Sequence, residues 1–447
     1  MHADTEPRVE VGILSAPVLR AFFQGDYQLS AETDTATERT PCPAGEQEWQ
    51  LSDGRLIYKG REYHSLLFRP LHPESDCFAL KDVTIGIHFH WERQETQYFR
   101  GSLKIIPDGD RLTAINILPV EEYLLSVIAS EMNADSSLHL LKAHAVISRS
   151  WLLAQMEHRT RPRKPSAPCP ESTDPDTRIL WFDHEEHTRF DVCADDHCQR
   201  YQGIARACTP QVRQAIGETR GEILCYDGQI CDARFSKCCG GVTEQFSTCW
   251  DNHEEPYLKA TRDSLTDSRL PDLTTEEGAE KWIRSTPEAC CNLHDAAVIS
   301  QILNGYDRET PDFFRWKVRY TQEELSALVA RKTGTSLGLV QQLVPLRRGP
   351  SGRISLLRID GSLRSLTIGK ELFIRQALSK SHLYSSAFVV SREGSDFILH
   401  GAGWGHGVGL CQIGAAAMGA RGVDYRKILT HYYPGAEIRK LPYGRTP

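Results

Sequence analysis

Hydrophobic and polar positions alternate through most of residues 8–117, which predicts a succession of short strands. RVEVGILSA, TQYFRGSLKII and LTAINIL carry this pattern. Pro107 to Asp110 (PDGD) predicts a tight turn between the last two of these strands. We therefore expect residues 1–62 to form a strand-rich N-terminal segment, with further strands in the region that follows.

The pattern changes at Leu118, where apolar residues begin to recur at helical spacing. Pro119 suits the first turn of a helix, and Asn133 separates this helix from a second one with a basic end. Glu131 lies at the C-terminal end of the first helix, where the helix macrodipole opposes its ionisation. A carboxyl group that stays protonated near neutral pH is suited to act as a general acid. The alternative is a solvated glutamate at a helix end.

Helices and strands alternate in the rest of the chain. A stretch rich in proline and charge, residues 159–178, predicts a loop insertion. Periodicity predicts helices at residues 211–222, 275–285, 321–334, 370–378 and 412–420. Strands are expected within residues 339–369, and a hairpin at residues 387–401. This mixture predicts an α+β fold, with a second lobe at about residues 266–400.

Glycine occupies every second position from Gly401 to Gly409, around Trp404 and His406. Alternating glycines favour irregular backbone, and they do not fit the G-x-G-x-x-G pattern of nucleotide-binding proteins. Trp404 can offer an apolar face to a ligand, and His406 can offer a hydrogen bond. The alternative for His406 is a buried histidine that holds the glycine-rich loop in place.

Histidine and cysteine are concentrated within fifteen positions, at His184, His187, Cys193, His197 and Cys198. Thiolates and imidazoles at this density suit a tetrahedral zinc site, although C-x₄-C is a looser spacing than C-x₂-C. His197 is less suited to join a site that includes the adjacent Cys198, so His184 is the better candidate for a fourth zinc ligand. His88 and His90 share one face of a strand with no third ligand near them, and we interpret them as half-buried packing residues.

Composition excludes several classes of protein. The net charge of −7 argues against non-specific binding to nucleic acid or to anionic membranes. The sequence contains no apolar run of membrane-spanning length, and MHADTEPRVEVG lacks the features of a signal peptide. The fourteen cysteines show no repeated spacing that would predict a disulfide framework.

Two long motifs resemble a known family. VEEYLLSVIASEM followed by LKAHAVISRSW resembles the core signature of the SpoIID/LytB family of bacterial cell-wall proteins. GAGWGHGVGLCQIGAAAMGARGVDYRKILTHYYPGAEI resembles its closing signature, so the resemblance extends from about Val9 to Ile438. It implies an interwoven, two-lobed SpoIID-like fold with a long substrate groove, and a catalytic region at residues 63–447.

The resemblance also implies a chemistry. It points to a lytic transglycosylase that cleaves the MurNAc–GlcNAc bond of peptidoglycan glycan strands and leaves 1,6-anhydro-MurNAc ends. Glu131 would be the catalytic acid, and Glu244 and Asp251 are the first suspects should a second carboxylate be needed. The residues implied to contact substrate are Gln199, Ser236, Trp404 and His406. The residues implied to bind a mainly structural zinc are His187, Cys193 and Cys198.

Such a protein would be exported, in the periplasm or associated with the cell wall, and a cell-wall amidase would be a second partner. One rival hypothesis is a non-catalytic wall-binding protein that enhances an amidase. Another is a cysteine peptidase that uses Cys411 or Cys238 with His406. Arg149, which matches an arginine of the family's second helix, is open to a structural or a functional interpretation.

Overall fold

A computed structural model describes residues 6–33, 36–86, 92–133, 136–160, 174–181, 187–195, 197–205, 209–293, 299 and 313–443. His88, His90 and His184 lie outside these ranges, as does most of the proline-rich stretch. Within the described ranges, none of the helices has both the length and the apolar character needed to cross a membrane.

The secondary structure mixes short strands with helices, which confirms the predicted α+β class. The strands are β1 (Arg8–Ala16), β2 (Val18–Gln24), β3 (Tyr27–Glu32), β4 (Thr37–Cys42), β5 (Gly45–Ser52), β6 (Arg55–Tyr58), β7 (Arg61–Tyr63), β8 (Ser65–Pro70), β9 (Cys77–Ile85), β10 (Arg93–Phe99), β11 (Ser102–Asp108), β12 (Arg111–Pro119), β13 (Thr177–Ile179), β14 (Val192–Cys193), β15 (Glu222–Tyr226), β16 (Gln229–Ile230), β17 (Phe235–Ser236), β18 (Arg315–Tyr320), β19 (Val340–Arg348), β20 (Ile354–Gly361), β21 (Ser365–Gly369), β22 (Phe388–Glu393), β23 (Asp396–Ala402), β24 (Leu410–Cys411) and β25 (Glu437–Lys440). The helices are α1 (Val120–Glu131), α2 (Leu138–Thr160), α3 (Pro210–Glu218), α4 (Phe246–Cys249), α5 (Glu276–Arg284), α6 (Gln322–Thr333), α7 (Glu371–Ala377), α8 (Gln412–Ala420) and α9 (Tyr425–Tyr432).

Two large sheets share one hydrophobic core. Their strand orders are β14-β1-β12-β11-β8-β3-β4 and β10-β9-β2-β5-β6-β7. Strand β2 buries Leu19, Ala21 and Phe23 and exposes the residues between them, which is the alternation seen in the sequence. In the pairing of β3 with β8, Leu29 lies opposite Phe68, so hydrogen bonds join strands on both sides of residue 62.

Helices α1 and α2 pack on the same core through apolar residues such as Tyr123 and Leu152. Helix α1 begins directly after Pro119 and ends at Glu131, as the sequence predicts. Helix α2 extends to Thr160 and so includes the first residues of the predicted loop insertion. The two helices are therefore fixed against a rigid sheet, and the end of α1 has a defined position.

Further sheets and helices form the remainder of the described structure. The strand orders are β13-β21-β20-β19, β18-β23-β22, β16-β15-β25 and the parallel pair β17-β24. Helix α6 begins with a capping box between Thr321 and Glu324 and ends at Gly334, which has a left-handed conformation. The pair β17-β24 brings Phe235 and Ser236 beside Leu410 and Cys411.

Candidate active site

Glu131 owes its position to a buried ion pair between α1 and α2. Arg149 of α2 has no exposed surface and donates from Nε and Nη2 to the two carboxylate oxygens of Glu121, over 3.0 and 2.6 Å. Its Nη1 donates to the main-chain oxygen of Glu222 over 3.0 Å. A bidentate pair of this kind fixes orientation as well as distance. The contacts of Arg149 therefore favour the structural interpretation.

The carboxylate of Glu131 is half-buried and receives a main-chain hydrogen bond. The N–H of Arg200 donates to its Oε1 over 2.9 Å. The segment around Arg200 is itself held against α1, since Tyr201 stacks on Tyr123 and the N–H of Gln202 donates to the hydroxyl of Ser126. A fixed N–H donor stabilises negative charge on the carboxylate, against the macrodipole.

Gln199 lies beside this contact and is completely buried. Its side-chain oxygen accepts a long hydrogen bond of 3.5 Å from the Tyr123 hydroxyl, and its Nε2 donates to the main-chain oxygen of Ser148 over 3.4 Å. It thus bridges α1 and α2 next to Glu131.

The clustered histidines and cysteines converge in the same loop. We call His187, Cys193, His197 and Cys198 the loop cluster; one ligand atom from each lies within 4.8 Å of all the others. His197 belongs to this group although it is next to Cys198, since its Nδ1 lies 3.6 Å from the Cys198 sulfur; His184, the predicted fourth ligand, lies outside the described residues. Adjacent residues are able to share a site here because the chain turns sharply after the short strand β14.

The donor set of the loop cluster fits a metal ion. Nε2 of His187 is buried and has no hydrogen-bond partner among the described residues. The hydrogen bond with Cys198, and weaker ones with both histidines, lower the pKa of Cys193 to about 2, although burial opposes this. Burial and the neighbouring Cys193 raise the pKa of Cys198. A thiolate beside two imidazoles is what a tetrahedral N/S site requires.

The loop cluster and Glu131 belong to one neighbourhood. Cys198 is two residues from Arg200, whose N–H contacts Glu131. Burial raises the pKa of Tyr123 well above its usual range, with smaller contributions from the charges of Cys198, Cys193 and Glu131. Any ligand that fixes the loop cluster would therefore fix the donor to Glu131.

Two of the predicted site residues, Trp404 and His406, lie in the glycine-rich segment, residues 401–409, which we call the glycine loop. Gly403, Gly405, Gly407 and Gly409 all have φ between 71° and 84°, the left-handed region that favours glycine. A Cβ at Gly407 would lie 2.4 Å from the guanidinium carbon of the buried Arg353. The alternating glycines therefore serve backbone conformation and close packing, as the sequence predicts.

Ser236 lies directly against the glycine loop. A Cβ built at Gly405 would lie 3.3 Å from that of Ser236. The Ser236 residue is 6% exposed, and its hydroxyl has no hydrogen-bond partner among the described residues. Because buried hydroxyls are usually paired, this oxygen is a candidate for contact with a ligand.

Trp404 and His406 have different surroundings within the loop. The half-buried Trp404 ring packs against Phe313 and Tyr384, both with ring centres 4.8 Å away. Nδ1 of His406 accepts from the N–H of Val408 over 3.0 Å. Burial lowers the pKa of His406 well below its usual value, with smaller contributions from arginine charges, so the ring is neutral. These contacts favour the interpretation of His406 as a histidine that holds the glycine loop in place.

A buried histidine that the sequence analysis missed joins α2 to α8, the helix that follows the glycine loop. His144 of α2 contacts the Ser148 hydroxyl through Nδ1 over 3.1 Å and Gln412 through Nε2 over 3.2 Å. Burial, with a smaller contribution from the charge of Lys237, lowers its pKa to about 3. The signal in the sequence was a polar i, i+4 pair, His144 and Ser148, inside an otherwise apolar stripe.

Glu244 and Asp251, the two further acidic candidates, both contact neighbouring side chains. Glu244 is completely buried and accepts from the Ser351 and Thr248 hydroxyls over 2.5 and 3.1 Å, and burial raises its pKa. Asp251 is partly exposed and lies 3.4 Å from His253. No pattern in the sequence indicates the Glu244–Ser351 contact, which joins residues 107 positions apart.

A cavity of about 560 Å³ lies at the opposite end of α1. Arg8, Arg69, Arg100 and Glu122 are among the residues that line it. Glu122 precedes Glu131 by nine residues, which corresponds to about 14 Å along a helix. This cavity is therefore separate from the carboxylate of Glu131.

Comparison with known proteins gives two family matches along the chain. Residues 108–226, which include Glu131 and the loop cluster, match the family described as Stage II sporulation protein. Residues 244–409, which include the whole glycine loop, match a domain of unknown function (DUF8618).

Individual relatives have low sequence identity to the chain, but the similarity extends over most of its length. The chain is 25% identical to an uncharacterized protein of Brachyspira hyodysenteriae over 78% of its own length and 73% of the relative. It is 25% identical to Stage II sporulation protein D of Bacillus amyloliquefaciens, over 73% and 75% of the two chains. Its similarity to the Amidase enhancer of Bacillus subtilis, also 25% identical, covers 70% of this chain and 40% of that protein.

Proposed function

Because the chain belongs to the SpoIID/LytB family of bacterial cell-wall proteins, we propose that it is a peptidoglycan lytic transglycosylase with Glu131 as its acid. It would cleave the MurNAc–GlcNAc bond of glycan strands and leave 1,6-anhydro-MurNAc ends. The observation that carries the proposal is the half-buried Glu131 carboxylate, held by the Arg200 N–H at the end of a helix that Arg149 locks in place.

The geometry suggests how one carboxyl group serves both halves of this reaction. Glu131 first gives its proton to the glycosidic oxygen as the bond to the anomeric carbon breaks. The carboxylate that results is stabilised by the Arg200 N–H and then accepts the proton of the C6 hydroxyl. The C6 oxygen bonds to the anomeric carbon of the same sugar, so no water is consumed and no second carboxylate is required.

The glycine loop would supply the sugar contacts. We assign Ser236 a hydrogen bond to the glycan, because its buried hydroxyl has no partner among the described residues. Trp404 would offer a ring face to a sugar, with Phe313 and Tyr384 setting its orientation. His406 and Gln199 would act beside them, His406 by fixing the loop and Gln199 by bridging α1 and α2.

Zinc is the metal that best suits the loop cluster, through His187, Cys193, His197 and Cys198. When bound it would act as a structural clamp. The chain's own contribution is the short connection from Cys198 to Arg200, which places the donor at Glu131. The loop cluster should contribute about one zinc per chain, measured by elemental analysis as the difference between wild type and Cys193→Ser. Equal zinc in both proteins would contradict this assignment.

The reaction is tested by mass spectrometry of peptidoglycan digested with the wild type, Glu131→Gln and the control Glu122→Gln. The wild type should release products lighter by one water than hydrolysis products. Glu131→Gln keeps the side-chain size but has no transferable proton, and should lower the rate at least ~10²-fold. Glu122→Gln changes a carboxylate of the same helix, about 14 Å away, and should leave the rate unchanged.

Two outcomes would contradict the proposed reaction. Reducing-end products from the wild type would mean a hydrolase, with Glu244 and Asp251 as the first suspects for a second carboxylate. Equal anhydro product from Glu131→Gln would remove Glu131 from the mechanism.

A second candidate is a non-catalytic protein that enhances an amidase, which the similarity to the Amidase enhancer favours. It predicts no product from purified glycan strands, and a higher amidase rate in the presence of either wild type or Glu131→Gln. A cysteine peptidase is disfavoured, because Cys238 and Cys411 are both completely buried and a nucleophile must reach its substrate.

A further inference from the structure

A second group of ligand-type side chains lies in the protein interior, behind the glycine loop. We call Cys239, Asp263, Cys291 and Cys411 the core cluster. One ligand atom from each lies within 4.8 Å of all the others, and none of the four residues is more than 2% exposed. The four come from three parts of the fold: the turn after β17, the segment 263–291 that includes α5, and the start of α8.

The spacing of the sulfurs suits a metal ion. The sulfurs of Cys239 and Cys291 are 3.6 Å apart. Two thiolates bound to one tetrahedral zinc at 2.3 Å would be about 3.8 Å apart, whereas a disulfide requires about 2.05 Å. The distance is also too short for a [4Fe–4S] cluster, in which each thiolate binds a different iron atom. The core cluster therefore has the dimensions of a site for a single ion.

Main-chain N–H groups point at the sulfurs of the core cluster. Cys411, the N-cap of α8, accepts from the N–H of Cys239 over 3.2 Å and from that of Gly414 over 3.4 Å. The N–H of Gly241 donates to the sulfur of Cys239 over 3.4 Å. Donors of this kind stabilise thiolates, and N–H···S bonds are a regular part of the surroundings of metal-bound cysteines.

The carboxylate of Asp263 is held in a fixed orientation. Its Oδ2 accepts from the N–H of Cys291 over 2.8 Å and its Oδ1 from the hydroxyl of Tyr432 over 2.7 Å. An anionic carboxylate beside several thiolates is costly in the interior unless a cation compensates it. Arg315, which donates to the Gly240 oxygen, is a cationic group close to these sulfurs.

We propose that Cys239, Asp263, Cys291 and Cys411 form a second, structural zinc site that fastens the glycine loop to the strand carrying Ser236. On binding, the coordinating thiols release their protons to solvent, and the ion bonds to three sulfurs and one carboxylate oxygen. Cys238 is adjacent in sequence, and its thiol interacts with those of Cys291 and Cys411, so a further sulfur lies beside the proposed site. The site is independent of the proposed glycan chemistry.

The site is tested by elemental analysis of the full chain, purified without chelator from zinc-supplemented medium. The background is Cys193→Ser, which removes a ligand of the loop cluster. This protein should retain about one zinc per chain, and adding Cys291→Ser or Cys411→Ser should remove it. The matched control adds Cys231→Ser, a completely buried cysteine outside both clusters, and should retain the zinc. Retention of zinc in the Cys291→Ser and Cys411→Ser proteins would overturn the proposal.

A measurement on the wild type covers the case in which these variants do not fold. Anomalous diffraction at the zinc edge should place a peak between the sulfurs of Cys239, Cys291 and Cys411. Its absence would overturn the proposal, and so would an unreduced intact mass about 2 Da lower with a Cys239–Cys291 cross-linked peptide, which would identify a disulfide.

Discussion

Two buried arginines hold the segments that carry the candidate site residues, and they do so by different means. Arg149 holds α1 and α2, and Arg353 holds the glycine loop. Arg149 meets a carboxylate, that of Glu121, in a bidentate pair. Arg353 meets main-chain oxygens: Nε and Nη2 donate to Gly405 over 3.1 and 3.0 Å, and Nη1 donates to Cys239 over 3.2 Å. Neither arginine has any exposed surface.

The difference follows from what each arginine has to fix. Helices α1 and α2 satisfy most of their own backbone groups, so a side-chain ion pair is enough to set their relative position. The glycine loop leaves carbonyl groups without regular partners, and a guanidinium with five donors can satisfy several of them at once. The proposed acid, Glu131, thus lies at the end of a regular helix, and the proposed sugar contacts lie in or beside the irregular glycine loop.

The largest effect is expected from Arg149→Met. It leaves the Glu121 carboxylate buried without its cation, and should lower the free energy of unfolding by about 3–5 kcal/mol, measured by urea denaturation. The double variant Glu121→Gln/Arg149→Met removes both charges and should recover a large part of this loss. A loss below about 1 kcal/mol in the single variant would mean that the ion pair does not hold the two helices together.

Arg353→Met should have the next largest effect. It leaves the oxygens of Gly405 and Cys239 without their donor, at a cost of about 2–3 kcal/mol in the free energy of unfolding. Arg353→Lys keeps the charge but not the planar fork, so it should recover only part of the loss. Complete recovery by lysine would show that the positive charge of residue 353, which acts on Glu244, stabilises the fold. Its hydrogen bonds to the carbonyl oxygens would then contribute little.

The contrast between local and distant contacts also explains what the sequence could predict. Helix α8 is predicted with its observed limits, and His187, Cys193 and Cys198, which lie within twelve positions in the sequence, lie close together in the structure. Arg353 contacts Gly405 and Cys239, which are 52 and 114 positions away. Periodicity carries no information about such pairs, so the core cluster and the role of Arg353 required the fold.

His144, which joins α2 to α8, should make stability depend on pH. Its folded-state pKa of about 3 lies below the unfolded value of about 6.5, so the unfolded chain binds a proton that the folded chain does not. Stability is therefore lost as the pH falls below 6.5, by about 2 kcal/mol between pH 7 and pH 5. His144→Gln keeps hydrogen-bonding capacity without titrating.

Urea denaturation of both proteins at pH 7 and pH 5 isolates this contribution. The difference between the two pH values should be about 2 kcal/mol larger in the wild type than in His144→Gln. Equal differences would mean that His144 is protonated in the folded state at pH 5, and that it does not pair neutrally with Ser148 and Gln412.

Ser236→Ala should have the smallest effect on stability and the most specific effect on the glycan. The Ser236 hydroxyl has no partner among the described residues, so its loss should change the free energy of unfolding by less than about 0.5 kcal/mol. Thr243→Val is the matched control, because the buried Thr243 hydroxyl accepts from the N–H of Thr261 over 2.8 Å. That variant should lose about 1–3 kcal/mol.

Binding of purified glycan strands then separates support from recognition. If Ser236 donates to the glycan, Ser236→Ala should bind it about tenfold more weakly, the equivalent of about 1.4 kcal/mol, at unchanged stability. Unchanged binding together with unchanged stability would remove Ser236 from the site. A large loss of stability would instead mean that the hydroxyl has a partner within the protein, and the glycine loop would then be support alone.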